Sequence, residues 1–106
     1  MQKVFEALAS QTRRKILAFL GEGELTAGQI ADRFEISKPS ISQHLSVLEN
    51  AGLVESDKRG QFVHYRLRRD SLINALDGLA QEVCPVRRPI RKEAKARDRA
   101  KPASGT

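Results

Sequence analysis

The sequence of 106 residues lacks most of what a catalytic, membrane-spanning or disulfide-bonded protein needs. It has one cysteine, Cys84, which excludes an intramolecular disulfide and a cysteine-rich metal site and fits a reducing compartment. No apolar run is longer than the five residues from Ile16 to Leu20, far below the roughly 18 to 20 that a membrane span requires. The start Met1-Gln2-Lys3-Val4 has no secretory apolar segment, so a cytoplasmic protein without membrane insertion is expected. No glycine-rich phosphate loop is present, and no motif places a nucleophile beside a histidine and an orienting acid. No enzyme activity, no catalytic residue and no cofactor is therefore expected. Aromatic residues make up only 5% of the chain. Phe62 and Tyr65 fall on opposite faces of one predicted strand, so they form no stacking platform for single-stranded nucleic acid.

What the chain does have is positive charge, unevenly placed. The net charge is +6, yet residues 1–86 balance, with eleven Lys and Arg against eleven Asp and Glu. Residues 87–106 hold Arg87, Arg88, Arg91, Lys92, Lys95, Arg97, Arg99 and Lys101 against Glu93 and Asp98. The balanced part is itself segregated: residues 1–15 and 37–69 each sum to +3, and residues 16–36 and 70–86 each to −3. Separated basic segments followed by a basic arm imply a polyanionic partner, most often nucleic acid. The same pattern predicts one folded domain over 1–86 and a basic, disordered tail over 87–106, where Pro89 and Pro102 stand among few apolar residues.

Hydrophobic spacing and capping residues divide 1–86 into helices and a hairpin. Val4, Phe5 and Leu8 predict a short amphipathic helix over Gln2–Ala9, and Ser10 caps a second over Thr12–Leu20 that carries Ile16, Leu17 and Leu20 on one side. Glu24-Leu25 reads as an extended entry. Thr26-Ala27-Gly28-Gln29 fits a capping box for a third helix that buries Ile30, Ala31 and Phe34. Ser37 caps a fourth, with Pro39 in its first turn, the seam Ile41, Leu45, Leu48, and a stop at Ala51-Gly52. Leu53–Ser56 and Gln61–Leu67 predict two strands around the turn Asp57-Lys58-Arg59-Gly60. A last helix, capped by Asp70 or Ser71 and running to about Cys84, carries the stripe Leu72, Ile73, Leu76, Leu79 and Val83, longer than a small core requires.

Two helices joined by a short turn, the second followed at once by a hairpin, make a winged helix-turn-helix, mainly α with a small β-hairpin wing. Opposite its seam, the fourth helix presents Pro39, Gln43 and Ser46 flanked by Ser40 and Ser42, with Lys38 on the first turn. An ordinary solvated face would carry Glu and Lys pairs. Here small hydroxyls allow close approach, and an amide can pair with adenine. The candidate DNA-binding residues are Ser37, Lys38, Ser40, Ser42, Gln43 and His44 on this helix and Arg59, Gly60 and Gln61 in the wing. A protein-interaction module, binding a partner through the basic tail and the last helix, is the competing class.

Three runs, Ala9–Leu17, Ser37–Leu45 and Arg59–Leu67, resemble the ArsR/SmtB family of bacterial winged-helix repressors, with the nearest likeness to its SdpR-like autorepressor branch. The resemblance covers residues 3 to about 84. It implies a homodimer packed through the first and last helices, a double-stranded inverted-repeat operator near its own promoter, and the fourth helix as the reader. Val4, Phe5, Leu8, Leu72, Ile73, Leu76, Leu79 and Val83 are the candidate dimer interface. The family's metal sites have no counterpart. Gln29–Arg33 holds no cysteine, and with Asp70 aligned to the family's aspartate the histidine positions fall on Leu72 and Val83, so no metal is expected. A small ligand, a sequestering protein or oxidation of Cys84 would each fit as the signal that relieves repression.

Overall fold

A computed structural model describes residues 2–84. The basic segment 87–106 lies outside the described residues. The elements run α1 (Gln2–Leu8), α2 (Gln11–Leu20), β1 (Leu25–Thr26), α3 (Ala27–Ala31), α4 (Lys38–Asn50), β2 (Val54–Arg59), β3 (Phe62–Leu67) and α5 (Arg69–Val83). This is the mostly helical winged fold expected, with one addition. The hairpin is widened to a three-stranded antiparallel sheet of order β1-β3-β2, because Leu25 and Thr26 pair with Tyr65 and His64.

The first compact unit, Met1–Ile73, closes over Val4, Ala7, Ile16, Leu17, Leu20, Ile30, Ile41, Leu45, Leu48, Leu53 and Val54. The local chemistry of the caps explains where its helices start. Ser10 accepts from the Arg13 amide at 3.3 Å. In the Thr26 capping box, Thr26 Oγ1 accepts from the Gln29 amide at 3.1 Å and Gln29 Oε1 accepts from the Thr26 amide at 2.9 Å, so two otherwise orphaned donors are satisfied.

Helix α3 is shorter than the apolar spacing suggested. It ends at Ala31 and continues as tight turns, with Arg33 and Phe34 amides donating to the Ile30 and Ala31 carbonyls at 2.9 and 3.0 Å. Phe34 therefore packs from a turn rather than from a helix face, edge-on to Phe19 at 5.6 Å between centroids, with the Arg33 guanidinium over the same Phe19 ring at 5.0 Å.

The end of α4 is a complete Schellman turn. The Gly52 amide donates to the Glu49 carbonyl at 2.9 Å and the Leu53 amide to the Leu48 carbonyl at 3.0 Å, with Gly52 at φ +78°, a conformation that only glycine adopts freely. Ser56 Oγ adds a second brace by donating to Glu49 Oε2 at 2.7 Å.

The wing turn differs from expectation. Arg59 pairs with Phe62, so the loop is the two residues Gly60-Gln61, and Asp57, Lys58 and Arg59 are strand residues. Their polarity signals exposure, not a turn, since this hairpin projects into solvent. Only Gly60, at φ +64°, is required by the reversal. Helix α5 begins at Arg69, so Asp70 and Ser71 lie inside its first turn rather than at its cap. The second unit begins at Asn74, within α5; there Gln81 Nε2 donates to Asp77 Oδ2 at 2.8 Å. No helix among the described residues is long and apolar enough to cross a membrane.

Candidate nucleic-acid interface

The orientation of α4 follows from its seam. Ile41, Leu45 and Leu48 are fully buried, which at 100° per residue turns Ser42, Gln43 and Ser46 outward; all three are exposed, as are Lys38 and Pro39. Ser37 is committed to the cap: its Oγ accepts from the Ser40 amide at 3.3 Å and donates to Ser40 Oγ at 3.1 Å. Ser40 is half-buried, with one hydroxyl proton left to donate. From Lys38 to Leu48 the helix carries no acidic residue, and the positive end of its dipole lies beside Lys38.

Beside this turn lies a cleft of about 260 Å³, lined by Thr26, Ala27 and Gly28, by Lys38 and Ser42, and by Gln61, Phe62, Val63 and Tyr65. Strand β1 covers β3 only at His64 and Tyr65, so the cleft runs past its end and takes residues from both faces of β3. Phe62 and Tyr65, on opposite faces as the alternation required, thus line one cavity. Phe62 is 57% exposed at the tip of the wing. Burial, and then the charge of Glu49, push the Tyr65 phenol above its usual range, so it is an O–H donor there. Neither residue was singled out for DNA contact by sequence. The signal available was a large apolar side chain directly after a glycine turn.

The wing arginine is not free. Arg59 Nη2 meets Glu24 Oε1 at 2.5 Å and Arg59 Nε meets Asp57 Oδ2 at 3.2 Å. Glu24 also receives Arg66 at 3.4 Å, Arg66 reaches Glu55 at 2.9 Å, and Arg68 lies 3.8 Å from Glu55. The hydrogen bond from Arg59 is the main cause holding the Glu24 carboxyl below its usual range, and the same bond raises Arg59. In the free protein Arg59, a candidate DNA contact of the wing, is thus paired with a residue 35 positions away. The side chains of Lys38 and Lys58 are the wing-proximal cations without a hydrogen bond or ion pair among the described residues.

Two of the four cations in segment 1–15 are similarly occupied. Arg14 Nη1 donates to the Leu8 carbonyl at 2.6 Å. Arg13 donates from Nε to the Ala7 carbonyl at 2.7 Å and from Nη2 to the Glu6 carbonyl at 3.0 Å, so both arginines cap the end of α1. The third Arg13 nitrogen, Nη1, lies 3.3 Å from Nδ1 of His44, which is half-buried on the flank of α4.

Of the apolar set assigned to a dimer, Val4 is buried within the protomer, and Phe5, Leu8, Leu72 and Leu79 are half-buried. Ile73 (60%), Leu76 (46%) and Val83 (66%) are exposed. No three of His, Cys, Asp and Glu cluster among the described residues.

Comparison with known proteins follows this geometry. Residues 10–56 match the family model described as bacterial regulatory protein, arsR family. The transcriptional repressor SdpR of Bacillus subtilis is 46% identical over 77 residues, 73% of this chain and 86% of that protein. The arsenic resistance transcriptional regulator ArsR1 of Pseudomonas putida is 43% identical over 65 residues, 60% of this chain and 51% of that protein. An ArsR-like transcriptional regulator from Rhodococcus sp. RHA1 superposes with a TM-score of 0.72 at 32% identity, covering 90% of each chain.

Proposed function

The chain belongs to the arsR family of bacterial regulatory proteins, DNA-binding regulators of transcription, and from that premise we propose that it is a homodimeric repressor of an inverted-repeat operator, one that includes its own promoter. It acts in the cytoplasm, where that DNA is. The observation that carries this reading is the outward face of α4, which has exposed Ser42, Gln43 and Ser46 over a fully buried seam, with no acidic residue from Lys38 to Leu48.

In this reading Gln43 and Ser40 read base edges, Ser42 allows close approach, and Lys38 and His44 hold phosphate. Ser37 presets the helix start. Gly60 and Gln61 bring the wing tip to the flanking backbone, and Arg59 joins them by exchanging Glu24 for phosphate. The candidate dimer contacts are Ile73, Leu76 and Val83, whose exposure leaves them open to a second copy, and the half-buried Phe5, Leu8, Leu72 and Leu79. Val4 contributes by holding α1 in place from inside. Neither of the family's metal sites regulates the complex, since cysteines are absent from α3 and the last-helix histidine positions are Leu72 and Val83.

The test is selection of duplexes from a randomised library by the purified protein, followed by footprinting. The expected result is a pseudo-palindrome with half-site centres about one helical turn, roughly 34 Å, apart. A selected duplex that random DNA competes as well as itself refutes sequence-specific repression, and full affinity for an isolated half-site refutes the dimer.

A further inference from the structure

The contact between Arg13 and His44 has a chemical consequence for the reading helix. A guanidinium has five N–H donors and no acceptor. At 3.3 Å Arg13 Nη1 can only donate, so Nδ1 of His44 holds its lone pair toward Arg13, and the ring proton must sit on Nε2. The guanidinium is not loose: its other two contacts are the Ala7 and Glu6 carbonyls at 2.7 and 3.0 Å, at the negative end of α1. No hydrogen bond to Nε2 is made among the described residues. His44 follows Gln43 by one residue, about 100° around the helix, so its ring stands at the flank of the reading face, where groove walls, not base edges, are met.

We propose that Arg13 is a positioning residue that locks His44 in the Nε2–H form, so that the flank of α4 presents a neutral N–H donor to a phosphate of the operator backbone. This rests on the reading of α4 as the DNA-contacting helix. Because the ring is neutral, the contact adds affinity and register without adding a cation, unlike the contact from Lys38. Sequence alone placed His44 among the candidate DNA contacts without assigning its ring nitrogens. The structure turns Nδ1 toward the protein, and the proposal gives Nε2 to the ligand.

The chain has two histidines, so ring ¹⁵N–¹H correlation spectra of the full chain at pH 8, assigned with a His64→Gln variant, report the tautomer directly. The expected spectrum has the His44 proton on Nε2 in the wild type and a mixture of both tautomers in Arg13→Met. On the library-selected duplex, His44→Ala is expected to lose about tenfold in affinity with its salt slope unchanged. His44→Gln, whose terminal amide reaches the Nε2 position, restores binding to within about threefold by the same bond. In the Arg13→Met background His44→Ala costs less than about twofold more, since contacting residues are not additive.

A wild-type proton on Nδ1 or on both nitrogens overturns the proposal without any variant. So does a slope that falls by about 0.9 per ring, the mark of an imidazolium on phosphate, and so do losses that multiply independently in the double variant. Gln43→Ala separates the two levels. If it weakens binding to the selected duplex and not to random duplex while His44→Ala binds as wild type, only this proposal fails; if it too has no effect, the assignment of the reading face fails with it.

Discussion

Removing Glu24 should make the protein bind DNA more tightly at low salt, although no residue that faces DNA is changed. Glu24 is the only carboxylate on Arg59 besides Asp57 among the described residues, and the geometry decides how much charge its removal releases. In Glu24→Ala, Arg66 keeps Glu55 at 2.9 Å, closer than its 3.4 Å contact with Glu24, and so stays paired. Arg59 is deprived of its 2.5 Å partner and keeps only Asp57 at 3.2 Å. Wild-type Arg59 reaches phosphate only by giving up Glu24, which then draws a cation from solution; in the variant one guanidinium per wing reaches phosphate without that uptake. Counterion release then steepens the slope of log affinity against log salt by about 0.9 for each wing and about 1.8 for two. Over a rise from about 50 to about 200 mM salt, the advantage of the variant over wild type shrinks by about twelve-fold.

Titration of a labelled selected duplex at four or five salt concentrations measures this. Equal slopes for the two proteins, or weaker binding by the variant at low salt, would refute the reasoning. Acid gives a second check. The folded Glu24 carboxyl lies below its usual range because of Arg59, so the pairing contributes above the unfolded pKa and is lost as pH falls through the folded one. The difference between variant and wild type should vanish on that acid side.

Gln43→Ala is expected to cost about 1 to 3 kcal/mol on the selected operator and little on random duplex, measured by competition. Gly52→Ala should destabilise by about 1 kcal/mol in denaturant unfolding, because the φ of +78° disfavours any side chain while an added Cβ meets nothing within 4 Å. Operator affinity should be unchanged by Zn²⁺, arsenite or a chelator; stoichiometric metal that releases the duplex would show a ligand set outside the family positions. Truncation after Val86 should weaken selected and random duplexes alike and flatten the salt slope by about 0.9 for every phosphate that the tail had neutralised.

The helices were legible because each announces itself locally: Ser10, Thr26 and Ser37 cap within three residues of what they cap, and Ile41, Leu45 and Leu48 keep a strict spacing. Of strand β1 only the extended entry at Glu24-Leu25 was legible and not its pairing, since two residues carry no periodicity and the partners are about 40 positions later. Phe34 misled for the converse reason. It sits at helical spacing from Ile30 but is held by Phe19, a contact that overrides the spacing. In the candidate site, the face of α4 could be read from one helix, whereas the pairing of Arg59 with Glu24 and of Arg13 with His44 depends on side chains 35 and 31 positions apart. Charge summed over segments counted those arginines as available, and folding had already given them partners.

The turn at Gly52 has a mechanical meaning. With two backbone hydrogen bonds, the Ser56–Glu49 brace and buried Leu53 and Val54 across the junction, reading helix and hairpin behave as one rigid caliper jaw without a hinge between them. A signal that weakens DNA binding through such a piece cannot swing the wing away from the helix. In the proposed dimer, displacing one such jaw by a fraction of a groove width would leave each half-site contact intact in itself and the pair out of step with the DNA.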